Sequence, residues 1–148
     1  MALPNTRKFG QFKVYLGNGA TPEVFAVPCG FTEKSLSITK ELVDTTVPDC
    51  DDPDAAAWLG RDVRSLSGEI SGSGVMAMES LGTWRAFALS TLPKNARVEI
   101  SGTGAQGGGY FTGSWHLTSF EISANLGEKV ELAISMQSDG ALTWVAAP

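Results

Sequence analysis

The side chains with the most chemical potential in this chain are few. His116 is its one histidine, Cys29 and Cys50 are its two thiols, and aspartates crowd positions 49, 51, 52 and 54. A glycine run, Gly102-Thr103-Gly104-Ala105-Gln106-Gly107, spells G-x-G-x-x-G. Each pattern invites a known chemistry and departs from it at a definite point. A dinucleotide loop must lead into a helix whose N-terminus receives the pyrophosphate. Here Gly108, Gly109, Tyr110 and Phe111 follow and begin another strand, so a flexible hairpin loop is expected. Counted from Asp49, an EF-hand would place Pro53 at position five, Asp54 at six and Gly60 at twelve. Calcium needs an oxygen ligand, a glycine and a glutamate there. The aspartates read as a solvated acidic loop, with Asp54 capping a short turn at 55–59. Cys29 and Cys50 lack metal-ligand spacing and read as free thiols. No serine lies in a G-x-S-x-G elbow, and one histidine would leave acid–base work to carboxylates alone. A non-enzymatic protein with no cofactor and no metal site is expected.

Short strands must carry these residues. Val130, Leu132, Ile134 and Met136 alternate with Lys129, Glu131, Ala133, Ser135 and Gln137, which marks a strand with one apolar and one polar face. Leu117, Phe120 and Ile122 form a second strand whose parity changes, so a bulge is expected near Thr118 or Ser119. Ala124-Asn125-Leu126-Gly127 joins the two as a hairpin turn. Further strands are expected at 12–16, 24–27, 35–39, 63–71, 97–101 and 142–145. Eight short strands between Gly, Pro and Asn signals predict a mainly β fold, an antiparallel β-sandwich or split barrel. One segment has the helical period: Leu81, Trp84, Ala88, Leu89 and Leu92 precede Pro93. A single flanking α-helix is expected at about 79–92.

Two long loops remain. Residues 44–60 hold two prolines and five aspartates, then Trp58 and Leu59; residues 102–113 hold six glycines. Loops longer than about 12–15 residues are uncommon in a compact domain and usually have a function. Trp58 argues that the first one docks against something. The 148 residues predict one domain, 1–148, with an N-terminal arm at 1–11.

The net charge is −5 and the pI near 4.8. That excludes a protein that grips nucleic acid by its phosphates, which needs clustered bases. No apolar run approaches the roughly 18 residues of a membrane-spanning helix, and no apolar stretch follows the basic N-terminus as in a secretory signal. The charges are segregated. Arg7, Lys8 and Lys13 precede any acid, whereas residues 41–62 carry seven of the sixteen acids and one base, Arg61. Such segregation fits either solvated loops or complementary patches that meet head to tail on different copies. A competing reading is a carbohydrate-binding β-sandwich that displays Trp58, Trp115 or Trp144.

The order of features is similar to that of a known family. A serine-rich strand with SLSI at 35–38 runs into the acidic loop, then W-x-G at 58–60 and R-S-L-S-G at 64–68. A helix ending at Pro93, a glycine-rich stretch, Tyr110-Phe111-Thr112-Gly113, and S-D-G-A-L-T at 138–143 follow. Over about residues 12–145 the chain resembles the major tail tube protein of long-tailed siphophages and phage-like gene transfer agents. The resemblance implies a helix-flanked β-sandwich or split barrel whose copies form stacked six-membered rings. The hollow tube would conduct double-stranded DNA, without specific binding, to the recipient cell. Its partners would be itself, tail-tip or baseplate and tail-terminator proteins, and a tape measure protein in the lumen. It implies no membrane insertion, a place in the virion tail, and assembly in the host cytoplasm. It also implies no outer decoration domain, since the chain stops at Pro148. The 44–60 loop would be the arm that reaches a neighbouring ring. Inter-subunit contacts are expected at Arg7, Lys8, Lys13, Asp49, Asp51, Asp52, Asp54 and Trp58. A conduit for a phosphate polymer works best with a wall that does not attract it, which makes Glu121 and Glu131 candidates for the lumen.

Overall fold

Most of the alternating stretch of residues 130–136 becomes part of an interior strand of a single antiparallel sheet. In the computed structural model, which describes residues 2–148, the strands are β1 (Phe12–Gly17), β2 (Phe25–Ala26), β3 (Phe31–Asp44), β4 (Arg61–Val75), β5 (Lys94–Ile100), β6 (Gly109–Ser123) and β7 (Glu131–Ala146). They lie in the order β2-β1-β5-β6-β7-β4-β3. Among the described residues one α-helix, α1 (Met78–Leu89), flanks the sheet. Met1, the first residue of the expected arm, lies outside the described residues.

Leu132, Ile134 and Met136 of β7 turn to one face and are buried with Val14 and Leu16, Ile70, Ala96 and Val98, and Trp115. Trp84 and Phe87 of α1 close that core from outside the sheet. The sheet curls strongly without closing into a barrel. Lys34, on edge strand β3, donates its Nζ proton to the carbonyl of Phe12 on β1 at 2.6 Å and lies over the Phe9 ring. Burial and the nearby charge of Lys13 hold the Lys34 ammonium below its ordinary pKa.

The expected bulge is present, since the β6–β7 register shifts between Leu117 and Ser119. The 124–127 turn closes with Glu128 N–H donating to the Asn125 carbonyl at 3.1 Å, and Gly127 adopts φ 86°. Residues 142–145, expected as a strand of their own, continue β7. Gly140, at φ 90°, lies where β7 takes four steps, from Asp139 to Thr143, against two on β6. The helix stops at Leu89, short of 92, where Ser90 Oγ accepts from Leu92 N–H and turns the chain toward Pro93. Its buried face is Ser80, Trp84 and Phe87, so Leu89 and Leu92 point into solvent. Ser80 Oγ donating to the Cys29 carbonyl at 3.3 Å belongs to that rotation.

Candidate functional site

One long ladder of the sheet leaves the core. β3 and β4 stay paired from Phe31 opposite Gly74 to Asp44 opposite Arg61, but β4 parts from β7 beyond Glu69 opposite Gln137. Residues 37–67 therefore project as a two-stranded arm. Register carries the apolar face of the core onto it: Leu36 is followed by Ile38, then Leu66 opposite Lys40, then Leu42 opposite Val63. Ile38, Leu42, Val63 and Leu66 are all exposed, Leu66 by 63%. Two strands alone are marginally stable in water, and an uncovered apolar face on them marks an interaction surface.

A hydrogen-bonded neck holds the loop beyond the arm. Thr45 N–H donates to the Gly60 carbonyl at 2.9 Å, and Gly60 N–H donates to Thr46 Oγ1 at 2.9 Å. The backbone N–H and hydroxyl of Thr46 both donate to Asp44 Oδ1, at 2.9 and 2.6 Å. The hydroxyl bond above all, then the backbone one, holds the Asp44 carboxyl below its ordinary pKa. Beyond the neck Asp49, Asp51, Asp52 and Asp54 are exposed, and Asp49 Oδ1 accepts from Asp51 N–H at 2.8 Å. No helix forms at 55–59; the chain turns instead through Ala55 N–H to the Asp52 carbonyl at 3.1 Å, so Asp54 caps nothing. Trp58 is 97% exposed.

The basic candidates sit elsewhere. Arg7 is anchored, its Nε donating to the Ser101 carbonyl at 2.7 Å and a terminal N–H to Gln106 at 3.3 Å. Lys8 donates its backbone N–H to Gln11, and Lys13 stands opposite Glu99 on β1. Antiparallel register places the start of β1, the 101–108 loop, the end of β7 and the arm tip at strand ends that point the same way. The basic arm and the acidic loop thus leave the sheet at the same end.

The sheet surface opposite the core is polar. Glu33, Ser35 and Ser37 of β3 face Ser73, Ser71 and Glu69 of β4. These align with Ala133, Ser135 and Gln137 of β7, and then Glu121 and Ser119 of β6. Glu131, opposite Ser123, shares that face. Hydroxyls knit it together: Ser35 meets Ser71, and Ser135 Oγ donates to Glu69 at 3.2 Å. Four glutamates and no lysine or arginine occupy this face across these stretches. His116 lies farther along it, half-buried, with Nε2 3.3 Å from the exposed Asp139. None of the described hydrogen bonds joins His116 to a serine or cysteine.

The three tryptophans of the carbohydrate reading do not form a platform. Trp115 is 1% exposed and belongs to the core, Trp144 packs edge-on to Phe111 at 4.7 Å, and Trp58 stands apart on the loop. Cys29 and Cys50 are exposed and unpaired. The G-x-G-x-x-G run is a short 3-10 turn between β5 and β6, with strand following it.

A projecting apolar arm beside a polar sheet describes a part made for assembly, and comparison with known proteins agrees. A family profile described as phage tail tube protein matches residues 8–144. The chain belongs to the phage tail tube protein family. It is a structural virion component rather than an enzyme. No curated protein is matched by sequence. The fold resembles a chain of a native gene transfer agent virion at TM-score 0.74 and 20% identity, covering 95% of this chain and 100% of that one. A chain from the tail of an empty gene transfer agent particle, refined with C6 symmetry, gives TM-score 0.76 at 20% identity, again covering 95% and 100%. The SPP1 tail tube gives 0.58 at 13% identity, covering 93% of this chain and 78% of that one. At these identities the likeness is one of fold.

The arm's apolar side chains were missed by sequence reasoning. Ile38 and Leu42 share the parity of a core strand, Val63 comes to the same face as Leu66 only through the register shift after Glu41, and only the length of the run from 31 to 44, uninterrupted by Gly or Pro, signals a strand outgrowing its sheet.

Proposed function

We propose that this chain is the repeating subunit of a hollow tail tube, assembled as stacked six-membered rings through which double-stranded DNA passes without being held. The observation that carries the reading is the arm: an apolar ribbon that nothing in its own subunit covers, in a member of the tube family. Identical copies are the natural cover, and a contact between different patches on identical copies closes into a ring when its rotation permits. The C6 symmetry of the gene transfer agent tail supports six as the ring number.

The glutamate- and serine-lined face is suited to the bore, with Glu121 and Glu131 among its charges. A wall without bases forms no phosphate contacts, so the polymer slides. Arg7, Lys8 and Lys13 with Asp49, Asp51, Asp52, Asp54 and Trp58 supply contacts between copies. Both groups leave the sheet at the same end, which favours lateral over end-to-end pairing between them. A tail-tip or baseplate complex and a tail terminator would bound the tube, and a tape measure protein would fill it before ejection. Assembly would take place in the host cytoplasm.

Negative-stain microscopy of the purified chain, alone and with tail-tip complex as seed, tests this. Tubes of uniform diameter are expected. A protein that stays monomeric at high concentration and ignores the seed overturns the reading.

A further inference from the structure

We propose that the fork between the arm and the second half of β7 is the seat for the acidic 47–59 loop of a second copy. This rests on the tube-subunit reading and names the surface that receives the loop.

Where β4 leaves β7, Gly68 N–H donates to Ser138 Oγ at 2.9 Å, and past that point the two strands run apart. The cleft between them holds about 690 Å³. Its walls are apolar, from Ile38, Val63 and Leu66 on the arm to Leu142 and Phe111 on the sheet, while Lys40 and Arg64 bring the only charges and no carboxylate lines it. Residues 61–67 of β4 pair with β3 alone, and residues 139–146 of β7 pair with β6 alone. Both strand edges thus turn free N–H and C=O groups into the fork, ready for an extended guest.

The 47–59 loop has the matching chemistry. Val47, Trp58 and Leu59 are exposed, and Asp49, Asp51, Asp52 and Asp54 lie between them. Aromatic anchors surrounded by polar contacts carry most of the energy of protein interfaces. Cationic rim therefore meets anionic loop, and apolar wall meets apolar anchor. Arg64 already reaches Glu41 of its own arm at 3.5 Å, but both are well exposed, and such a pair holds a side chain weakly enough to be redirected.

The loop does not fill the cleft of its own subunit: no residue of 47–59 lines it, and Val47, Trp58 and Leu59 stay exposed beyond the neck. The guest we assign to it is therefore the loop of another copy. Each copy then gives one loop and receives one, a heterologous contact that propagates around a ring.

Two experiments test the proposal in the full-length chain. In a C29S background the natural Cys50 marks the loop, and Ala141→Cys marks the cleft. Mild oxidation of assembled tubes should yield a ladder of covalent multimers on a non-reducing gel, and C50S should abolish it. Normal tubes without the ladder would place the loop elsewhere and leave the tube reading standing; wild-type protein that never forms tubes would remove that reading itself. Independently, K40E with R64E should block assembly while the circular dichroism spectrum stays that of the folded chain, and adding D51K with D52K should restore tubes. Folded protein that assembles despite K40E/R64E, or that the loop reversal fails to rescue, overturns the charge match.

Discussion

Asp44 and Thr46 form a two-residue hinge pin at the base of the loop. Because the Thr46 bonds lower the carboxyl pKa in the folded chain, this contact is fully present above the ordinary carboxylate range. It is lost as pH falls through the depressed value. Thr46→Val removes the larger of the two causes, so the Asp44 titration midpoint should rise toward the ordinary value, read from its carboxyl carbon shift by NMR. An unchanged midpoint would show that the hydroxyl is not the cause. Gly74 makes a different demand. A Cβ built there would lie 2.6 Å from Thr32 N and 2.7 Å from the Phe31 Cα, both backbone atoms that cannot swing aside. Gly74→Ala is expected to destabilise by about 1–3 kcal/mol in a denaturant melt, as overpacking does.

At the scale of elements, helix and arm have opposite allegiances. The helix belongs to its own subunit through two side chains, Trp84 and Phe87, at 0% and 2% exposure. Trp84→Ala should cost about 3–5 kcal/mol, and at roughly 2–4 °C per kcal/mol for a chain of this size the loss is visible in a thermal melt. Trp84 Nε1 is buried without a hydrogen-bond partner, so Trp84→Phe should be tolerated far better than Ala. The arm tip contributes nothing to the core. Deleting residues 47–57 should leave the melt almost unchanged and abolish tube growth, scored by circular dichroism and microscopy on the same preparation. A deletion that unfolds the chain would show that the loop belongs to the subunit after all.

For the whole molecule, the distribution of charge matters more than its sum. The −5 is not spread evenly: a stretch of sheet surface carries Glu33, Glu69, Glu121 and Glu131 without a base, while the cleft beside the arm carries Lys40 and Arg64 without an acid. If the first is the bore, the double variant E121K/E131K should still form normal tubes. DNA passage should slow, and rising salt should relieve the delay because phosphate contacts are salt-sensitive. Transfer unaffected at low salt would move the bore to another face.

Period-two alternation at 130–137, the parity break at 117–120 and the Asn125–Gly127 turn were legible because strand pairing expresses local chemistry directly. The same logic made Glu121 and Glu131 readable as polar-face residues. The helix existed in the pattern, yet its buried face did not, since Leu89 and Leu92 satisfy helical spacing as well as Phe87 does and only docking beneath Cys29 chooses among them. Composition and period by themselves determined a β-rich, acidic protein with an acidic loop too long for a simple connection. Tertiary structure alone decided that β4 abandons β7 at Glu69, which turns Ile38, Leu42, Val63 and Leu66 from core into surface. A side chain's type records its affinity for an apolar neighbour, and which neighbour it meets depends on where strands far apart in sequence part company.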